Sequence, residues 1–313
     1  MTSNEVIVSQ KINQNVPSAG PTKAKIIEIP RTQNAAEVEK LNNVLVKGSW
    51  EAAKPLEMLM AGRQLFTRMR DLYNETLNHP GLVKRLKAEN FDAGFAEALE
   101  GLSMVMWQVL GIKKYAVVNS FISTDGAYDI TQSPAFPSYV PGLMSGSDSR
   151  MSFFERTANA LMHVVSRFTL RMMLYNFGPL LEHYAPGSPS LLEVARNNSL
   201  VFVNSDPLLD FPHPTVHRVK DIGGITVNTE PTKGVDKYWS EVLNRRNKTV
   251  LFSFGSYLRT YDMPALYRET IRETVANFPD ITFIFKYERP GDNFSANISN
   301  MVETTWMPQR ELL

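Results

Sequence analysis

The chain of 313 residues contains no cysteine. Disulfide bonds, cysteine-ligated zinc, iron–sulfur clusters and a thiol nucleophile are therefore excluded from it. A large excess of charge of either sign is also absent. The 33 basic residues nearly balance the 32 acidic residues and leave a net charge of +1. So small a charge gives no overall attraction to nucleic acid or to an anionic membrane, and nucleic acid is not an expected partner.

Long hydrophobic runs are absent as well. The longest run, GLSMVMWQVLGI at Gly101–Ile112, is about half of the ~20 residues that a membrane-spanning helix needs. The N-terminal residues are polar and carry no signal-peptide pattern. Polar residues such as Arg167 and Arg171 interrupt the apolar segment Ala158–Leu181. This segment is therefore interpreted as an amphipathic helix that either packs against a core or lies on a membrane surface.

The sequence motifs of several enzyme classes are missing. No glycine-rich dinucleotide loop, P-loop, zinc-protease motif, nucleophile elbow or EF-hand occurs. The closest pair of histidines is His213 and His217, and the prolines around them are incompatible with a helix. The sequence predicts no metal site.

Short β-branched runs alternate with longer helical stretches, which predicts an α/β protein with a mainly parallel sheet. The predicted strands are Lys25–Pro30, Asp92–Ala98, Lys114–Ser120, Ser199–Ser205, Lys248–Phe254 and Ile281–Tyr287. The predicted helices are Pro55–Ala88, a helix ending at Leu110, Met151–His183, a short helix around Trp239 and Met263–Phe278. Trp239 is expected in the core.

A proline-rich stretch at residues 206–234 predicts a linker between two domains. We place an N-terminal domain at residues 1–206, a linker with a short helix at 207–244 and the beginning of a second domain at 245–313. A second domain this small buries little of its surface. The sequence is therefore expected to be cut before this domain is complete.

Two segments near the C-terminus are candidates for ligand binding. Gly255 and Ser256 follow a predicted strand, where glycine lets the backbone approach a ligand and Ser256 would face an anion at the next helix N-terminus. In TWMPQRELL, Trp306 offers a flat face to a base and Gln309 offers polar groups. A plain turn and simple packing are the alternatives.

Glu97 is a third candidate because it is a carboxylate inside the apolar strand FDAGFAEAL. A buried carboxylate needs a partner or stays protonated. The alternatives are a functional carboxylate and a hydrogen-bonded strand end.

Taken in order, these segments resemble the UDP-glycosyltransferase family, of the glucuronosyltransferase type found in animals. The match runs through FDAGFAEAL, Phe136–Val164, Val203–Ile225, and VLFSFGS followed by WMPQRELL. The resemblance implies a GT-B fold with two Rossmann-like domains. The N-terminal domain would bind a small lipophilic acceptor and the C-terminal domain a UDP-sugar.

The family's chemistry is then expected for the parent enzyme. A histidine deprotonates the acceptor, a carboxylate orients that histidine, and a hexosyl or glucuronosyl group is transferred with inversion, without a metal or other cofactor. On this chain the resemblance implies that Glu97 stands at the orienting carboxylate. Gly255 and Ser256 would contact the donor phosphates, Trp306 the uracil, and Gln309 the nucleoside.

Several family features are not found in this sequence. The first strand with its histidine-bearing loop is missing, no histidine precedes His79, and the rest of the donor signature lies beyond Leu313. We therefore expect an N-terminal domain without its first strand, a C-terminal domain cut off early, and no activity of this chain alone. The alternative is a non-catalytic relative that binds an acceptor or regulates a partner. The family implies a lumenal endoplasmic-reticulum membrane protein that forms homo- or hetero-oligomers, although this chain shows neither a signal peptide nor a transmembrane helix.

Overall fold

The computed structural model describes residues 5–12, 23–50, 55–98, 100–120, 127–142, 145–227 and 234–313. The chain divides into two compact units. The first unit is Met1–Ala36 with Phe66–Asn228, and the second is Glu37–Leu65 with Thr229–Leu313. The predicted boundaries after residues 206 and 244 stay a prediction.

The first unit contains two parallel sheets. Strands β1 (Val6–Gln10) and β2 (Lys25–Ile29) pair with each other. Strands β3 (Gly94–Glu97), β4 (Tyr115–Asn119), β5 (Leu200–Val203) and β6 (Val219–Asp221) form a four-stranded sheet in that order. Because all of these pairs are parallel, the carboxyl ends of neighbouring strands meet at one edge of each sheet.

Helices connect and cover these strands. They are the end of α2 (Pro55–Leu77) from Phe66 onward, α3 (Leu82–Ala88), α4 (Gly101–Leu110), α5 (Ala127–Thr131), α6 (Phe153–Asn176), α7 (Gly178–Tyr184) and α8 (Leu191–Arg196). Helix α1 (Gln33–Gly48) from Glu37 onward and the beginning of α2 up to Leu65 belong to the second unit. Helices α6 and α8 each begin with a capping box, Ser152 with Glu155 and Ser190 with Glu193. In this arrangement the serine and the glutamate satisfy each other's free backbone amides.

The core of the first unit is built around α4. This helix is apolar on nearly every side, and Met104 and Val105 are fully buried. Gly101 lies so close to Phe177 that a Cβ atom there would be 2.4 Å from the phenyl ring. The close approach of α4 to this ring therefore depends on glycine.

The second unit contains a parallel three-stranded sheet of β7 (Lys248–Phe252), β8 (Ile281–Lys286) and β9 (Met301–Thr304). Its other helices are α9 (Lys237–Leu243), α10 (Ala265–Ala276) and α11 (Gln309–Leu312), with 3-10 turns at Thr260–Asp262 and Pro290–Asp292. The central strand β8 is buried on both faces, as its continuous apolar run predicts. Trp239 is buried against Val302 and Met307, so its predicted core position is confirmed.

The predicted α/β class with parallel sheets is confirmed, and every predicted strand is present. Helix α1 and strands β1, β6 and β9 were not predicted. The three strands are short, and a run of three to five residues shows little periodicity. Strand β6 also lies within the predicted linker, where it pairs with β5. Strand β1 precedes Lys25, in a part of the chain where the sequence analysis predicted no strand.

Candidate functional site

The turn after β7 is the first part of the candidate site in the second unit. Gly255 has a φ of +77°, a left-handed conformation that favours glycine. Its amide donates a hydrogen bond to the Oγ of Ser253 at 3.3 Å. Ser256 follows in the same exposed turn. Helix α10 begins only at Ala265. The expectation that Ser256 lies at a helix N-terminus is therefore wrong.

A buried lysine supports this turn from the neighbouring strand. Lys286 is the last residue of β8, and its Nζ donates to the carbonyl oxygen of Gly255 at 2.7 Å. The same ammonium lies 3.1 Å from an oxygen of Glu288. Because β7 and β8 are parallel neighbours, their carboxyl ends bring the lysine and the turn together. The sequence analysis missed Lys286, although a lysine that ends the apolar run ITFIF is an available signal.

Glu288 connects this lysine to the next loop. Its second carboxylate oxygen accepts hydrogen bonds from the amide and the hydroxyl of Thr260, at 2.9 and 2.6 Å. Thr260 is only 1 % exposed. The carboxylate is therefore shared between Lys286 and a buried threonine, which fixes the loop that follows the glycine turn.

The C-terminal candidates meet the same turn. The Nε2 of Gln309 donates to the Oγ of Ser253 at 2.7 Å. The Nζ of Lys286 lies 6.0 Å from the centre of the Trp306 ring. Trp306 is 63 % exposed. The structure thus brings Gly255, Trp306 and Gln309 together at the carboxyl edge of one sheet.

A tryptophan from the distant α1–α2 region completes the support of the turn. The Nε1 of Trp50 donates to the carbonyl oxygen of Arg259 at 3.1 Å. Its ring stands edge-to-face with Phe254, with 5.0 Å between the ring centres. Sequence reasoning did not find Trp50, because 209 residues separate it from Arg259.

Glu97 lies at the carboxyl end of β3 in the first unit. Its carboxylate accepts hydrogen bonds from the amides of Ala98 and Ser120, at 3.0 and 3.2 Å, and from the hydroxyl of Ser120. Among the residues that the structure describes, the hydrogen-bond partners of the Glu97 carboxylate are these two, and neither is a histidine. The carboxylate is fixed at the end of its strand. This arrangement is compatible both with a functional carboxylate and with a hydrogen-bonded strand end.

A second carboxylate, Glu100, lies three residues further on and was not predicted. It is the N-cap of α4 and accepts a hydrogen bond of 2.5 Å from the hydroxyl of Ser103. Burial raises the pKa of Glu100, the Ser103 hydrogen bond opposes this, and the charge of Glu97 raises the pKa further. The pKa of Tyr73 is also raised, mainly by burial and secondly by the negative charge of Glu100.

A cavity of about 550 Å³ lies beside Glu100. Its walls include Val6 and Val8 of β1, and Gly94 and Phe95 of β3. The polar lining residues include Gln10, Thr76, Glu100 and Ser103. A few polar groups in a mostly apolar cavity of this size are typical of sites for small organic ligands.

The position of this cavity can be compared with the usual ligand site of a doubly wound sheet. Strands β2 and β1 form one parallel pair, and β3 to β6 form the other sheet. In a doubly wound sheet of order 3-2-1-4-5-6, ligands bind at the carboxyl ends of the strands where the order reverses. The cavity lies between the edge strands β1 and β3, but its lining contains Gly94 and Phe95 from the amino end of β3 and not Glu97 from the carboxyl end, so it differs from that position.

No metal-ligand cluster was found in the described part of the chain. His213 instead lies with its Nδ1 2.7 Å from the carbonyl oxygen of Phe211. Among the described helices, none is long and apolar enough to cross a membrane.

Comparison with known proteins identifies the class. The family model "UDP-glucoronosyl and UDP-glucosyl transferase" matches residues 2–313. The chain therefore belongs to this family of glycosyltransferases, and the resemblance stated from the sequence is confirmed.

Curated sequences of the same family are similar to this chain. "Putative UDP-glucuronosyltransferase ugt-47" of Caenorhabditis elegans is 26 % identical over 95 % of this chain and 55 % of its own length. "UDP-glucuronosyltransferase 1-2" of Mus musculus is 26 % identical over 78 % of this chain and 45 % of its own length. The chain thus spans about half of the length of these relatives.

Two solved structures are also similar. The glycotransferase of kitacinnamycin matches with a TM-score of 0.47 and 15 % identity over 91 % of this chain and 60 % of that chain. The spinosyn forosaminyltransferase SpnP matches with a TM-score of 0.47 and 15 % identity over 92 % of this chain and 65 % of that chain.

Proposed function

We propose that the second unit binds the UDP part of a UDP-sugar at the carboxyl edge of its sheet. The observation that carries this proposal is the hydrogen bond of 2.7 Å between Gln309 and Ser253, which joins the two segments with donor-binding roles in the family. In the proposed complex, the uracil stacks on the exposed ring of Trp306 and Gln309 contacts the nucleoside. The open turn at Gly255 and Ser256 receives the phosphates.

A buried lysine holds the proposed phosphate-binding turn in place. The ammonium of Lys286 lies 2.7 Å from the carbonyl oxygen of Gly255 and 6.0 Å from the centre of the Trp306 ring, and Glu288 balances its charge at 3.1 Å. In the proposed complex the exposed Ser256 of this turn offers its hydroxyl to the diphosphate. We propose that transfer needs no metal and no further cofactor, the UDP-sugar being a co-substrate.

On the acceptor side, we propose that a small lipophilic alcohol, phenol or acid binds in the cavity beside Glu100. The mixture of apolar walls and a few polar residues supports this ligand class. Glu97 is the proposed orienting carboxylate. In the family reaction an acceptor oxygen forms a bond to the anomeric carbon while the bond from that carbon to UDP breaks, which inverts the configuration. The proton of the acceptor passes to a histidine base.

Binding of UDP to the purified chain, measured by calorimetry, tests the donor site. Trp306→Ala should weaken UDP binding by about tenfold, since stacking on an aromatic ring contributes about 1–3 kcal/mol. Gln309→Ala should also weaken it, because the nucleoside loses a polar partner and the bond to Ser253 is lost. Tyr267→Ala removes an exposed aromatic ring from α10 and serves as the control. Equal affinity of the Trp306 variant and the wild type would contradict the proposed site.

The inactivity of this chain alone stays a prediction. It is tested by incubating the chain with UDP-glucuronate or UDP-glucose and a phenol, and by measuring released UDP. Release that depends on the phenol would refute it. Acceptor binding without UDP binding would favour the alternative, a non-catalytic relative. For the parent protein we propose the lumenal side of the endoplasmic-reticulum membrane and assembly with related transferases.

A further inference from the structure

Helix α6 departs from the usual rule for a surface helix, because it buries two polar residues and leaves many large apolar residues exposed. Its buried residues include Asn159 and His163, which are 3 % and 6 % exposed. Its large apolar residues that face solvent are Phe153, Phe154, Leu161, Met162, Val164, Val165, Phe168, Met172 and Tyr175. We call this set the outer face of α6.

The inner contacts fix this orientation. The side-chain amide of Asn159 donates to the carbonyl oxygens of Pro137 and Val140, at 2.7 and 2.9 Å. It also accepts from the amide of Gly142 at 2.8 Å. Towards the other end, Leu170 and Leu174 belong to the core of the first unit. The helix is therefore held from inside, and rotation to bury the outer face would break these hydrogen bonds.

The outer face is large and continuous. At about 100° per residue, its members fall within an arc of about 180° along the helix. Four of them are aromatic, and each of the four is 63–81 % exposed. These four rings alone present on the order of 500 Å². That area already matches the largest apolar patch of a typical soluble monomer, which is about 300–600 Å².

The outer face offers few outward hydrogen-bonding groups. Among its members only Tyr175, near the end of the helix, carries a hydroxyl. Thr157 and Thr169 lie within the same arc, and both donate to their own helix, at 2.9 Å to the carbonyl oxygens of Phe153 and Val165. Interfaces between proteins carry about one hydrogen bond per 100–200 Å². Hydrocarbon needs none, so this face is better matched to lipid chains than to a protein partner.

One edge of the outer face is basic. Arg171 lies on this edge, with Arg167 one turn before it. Both contact the buried carboxylate of Asp129, at 2.9 and 2.5 Å, together with Arg196 at 3.3 Å. Three guanidinium groups share one carboxylate, which leaves an excess of positive charge beside the apolar surface.

We propose that α6 lies in the plane of a membrane, with its outer face among the acyl chains and its arginine edge against anionic lipid headgroups. An apolar face flanked by arginines is the pattern of interfacial helices. This proposal does not depend on the proposed transferase function.

Flotation of the full chain with lipid vesicles tests the proposal. The wild type should bind vesicles of phosphatidylcholine with phosphatidylserine, and bind phosphatidylcholine alone more weakly. Leu161→Asp combined with Phe168→Asp should reduce binding by about tenfold or more, because both side chains would enter the acyl region. Leu266→Asp combined with Phe278→Asp changes two exposed apolar residues outside α6 and is the charge-matched control.

Three outcomes would overturn the proposal: no binding of the wild type to either vesicle, equal loss in the control variant, or a dimer in solution. In the last case, analytical ultracentrifugation would show a dimer that the α6 variant dissociates, with no vesicle binding. The face would then be an interface between copies. Circular dichroism of both variants distinguishes loss of binding from loss of folding.

Discussion

The ammonium nitrogen of Lys286 lies 2.7 Å from the carbonyl oxygen of Gly255. The first residue ends strand β8, and the second begins the left-handed turn after β7. This hydrogen bond couples a buried charge to the conformation of an exposed turn. It places the turn relative to Trp306, whose ring lies 6.0 Å from the same nitrogen.

Replacement of Lys286 by methionine is expected to destabilise the protein by about 3 kcal/mol, because Glu288 would keep a charge without its buried partner. Urea unfolding followed by tryptophan fluorescence measures the change. Lys248→Met, on the exposed side of the neighbouring strand β7, is the control and should change stability by less than about 0.5 kcal/mol. The same loss in both variants would show that the contact contributes little.

Gly255→Ala isolates the conformational requirement of the turn. A Cβ atom there meets nothing within 4 Å, so the cost comes from the φ of +77° and is expected to be about 1 kcal/mol. Gly62→Ala is the matched control, since Gly62 lies inside α2 with equally open surroundings. That change should stabilise by about 0.5–1 kcal/mol. Denaturant midpoints that move in the same direction for both variants would contradict this account.

Asp129 should make the stability of the protein sensitive to acid. Burial alone would raise its pKa, but the hydrogen bonds and charges of Arg167 and Arg171 outweigh burial and hold the pKa at about 2. The folded pKa lies below the ordinary value of 3.8, so the stabilisation is present above that value and is lost as pH falls towards 2. The contribution is about 2 kcal/mol.

Unfolding measured against pH tests this expectation. Asp129→Asn should be less stable than the wild type at neutral pH, and the difference should shrink between pH values of about 4 and 2. Asp236→Asn would be an unsuitable control, because that carboxylate caps α9. Asp280→Asn, in the exposed turn before β8, is better suited. A difference that stays constant with pH would exclude the proposed titration.

Ionisation of Glu100 should change the stability of the protein with pH in the direction opposite to that of Asp129. Its pKa is raised by burial, so the folded state holds the proton more tightly than the unfolded state does. Stability should therefore fall as pH rises through the interval from the ordinary value of 4.5 to the raised value. Glu100→Gln keeps the shape without the charge and is expected to be more stable than the wild type at neutral pH.

The same unfolding assay provides the measurement. The advantage of the Glu100→Gln variant should vanish below a pH of about 4, where both states of the wild type are protonated. Glu241→Gln, on the exposed side of α9, should show no such dependence. A Glu100 variant that is less stable at every pH would mean that the carboxylate is needed as a charged group.

Sequence reasoning predicted the fold further than it predicted the site. Continuous apolar runs such as ITFIFKY are recognisable as buried strands from the sequence, so β8 and its neighbour β7 were predictable. Strand β9 has four residues and becomes a strand only by pairing with β8. Trp50, Lys286 and Glu100 are single residues whose sequence neighbours give no hint of their contacts. Gly255, Trp306 and Gln309 were found because a glycine after a strand and the segment TWMPQRELL are visible in the sequence, and the family resemblance then gave them their expected roles.

The sequence by itself determined the α/β class, the family, the principal strands and the amphipathic character of α6. These properties depend on residue types and on their spacing along the chain, and both are visible in the sequence without any tertiary contact. Only the tertiary structure decided that Asn159 and His163 of α6 are buried and that Lys286 supports the Gly255 turn. It also decided that three arginines contact the carboxylate of Asp129. These relationships join residues far apart in the chain, and their energies depend on burial and on distances that exist only after folding.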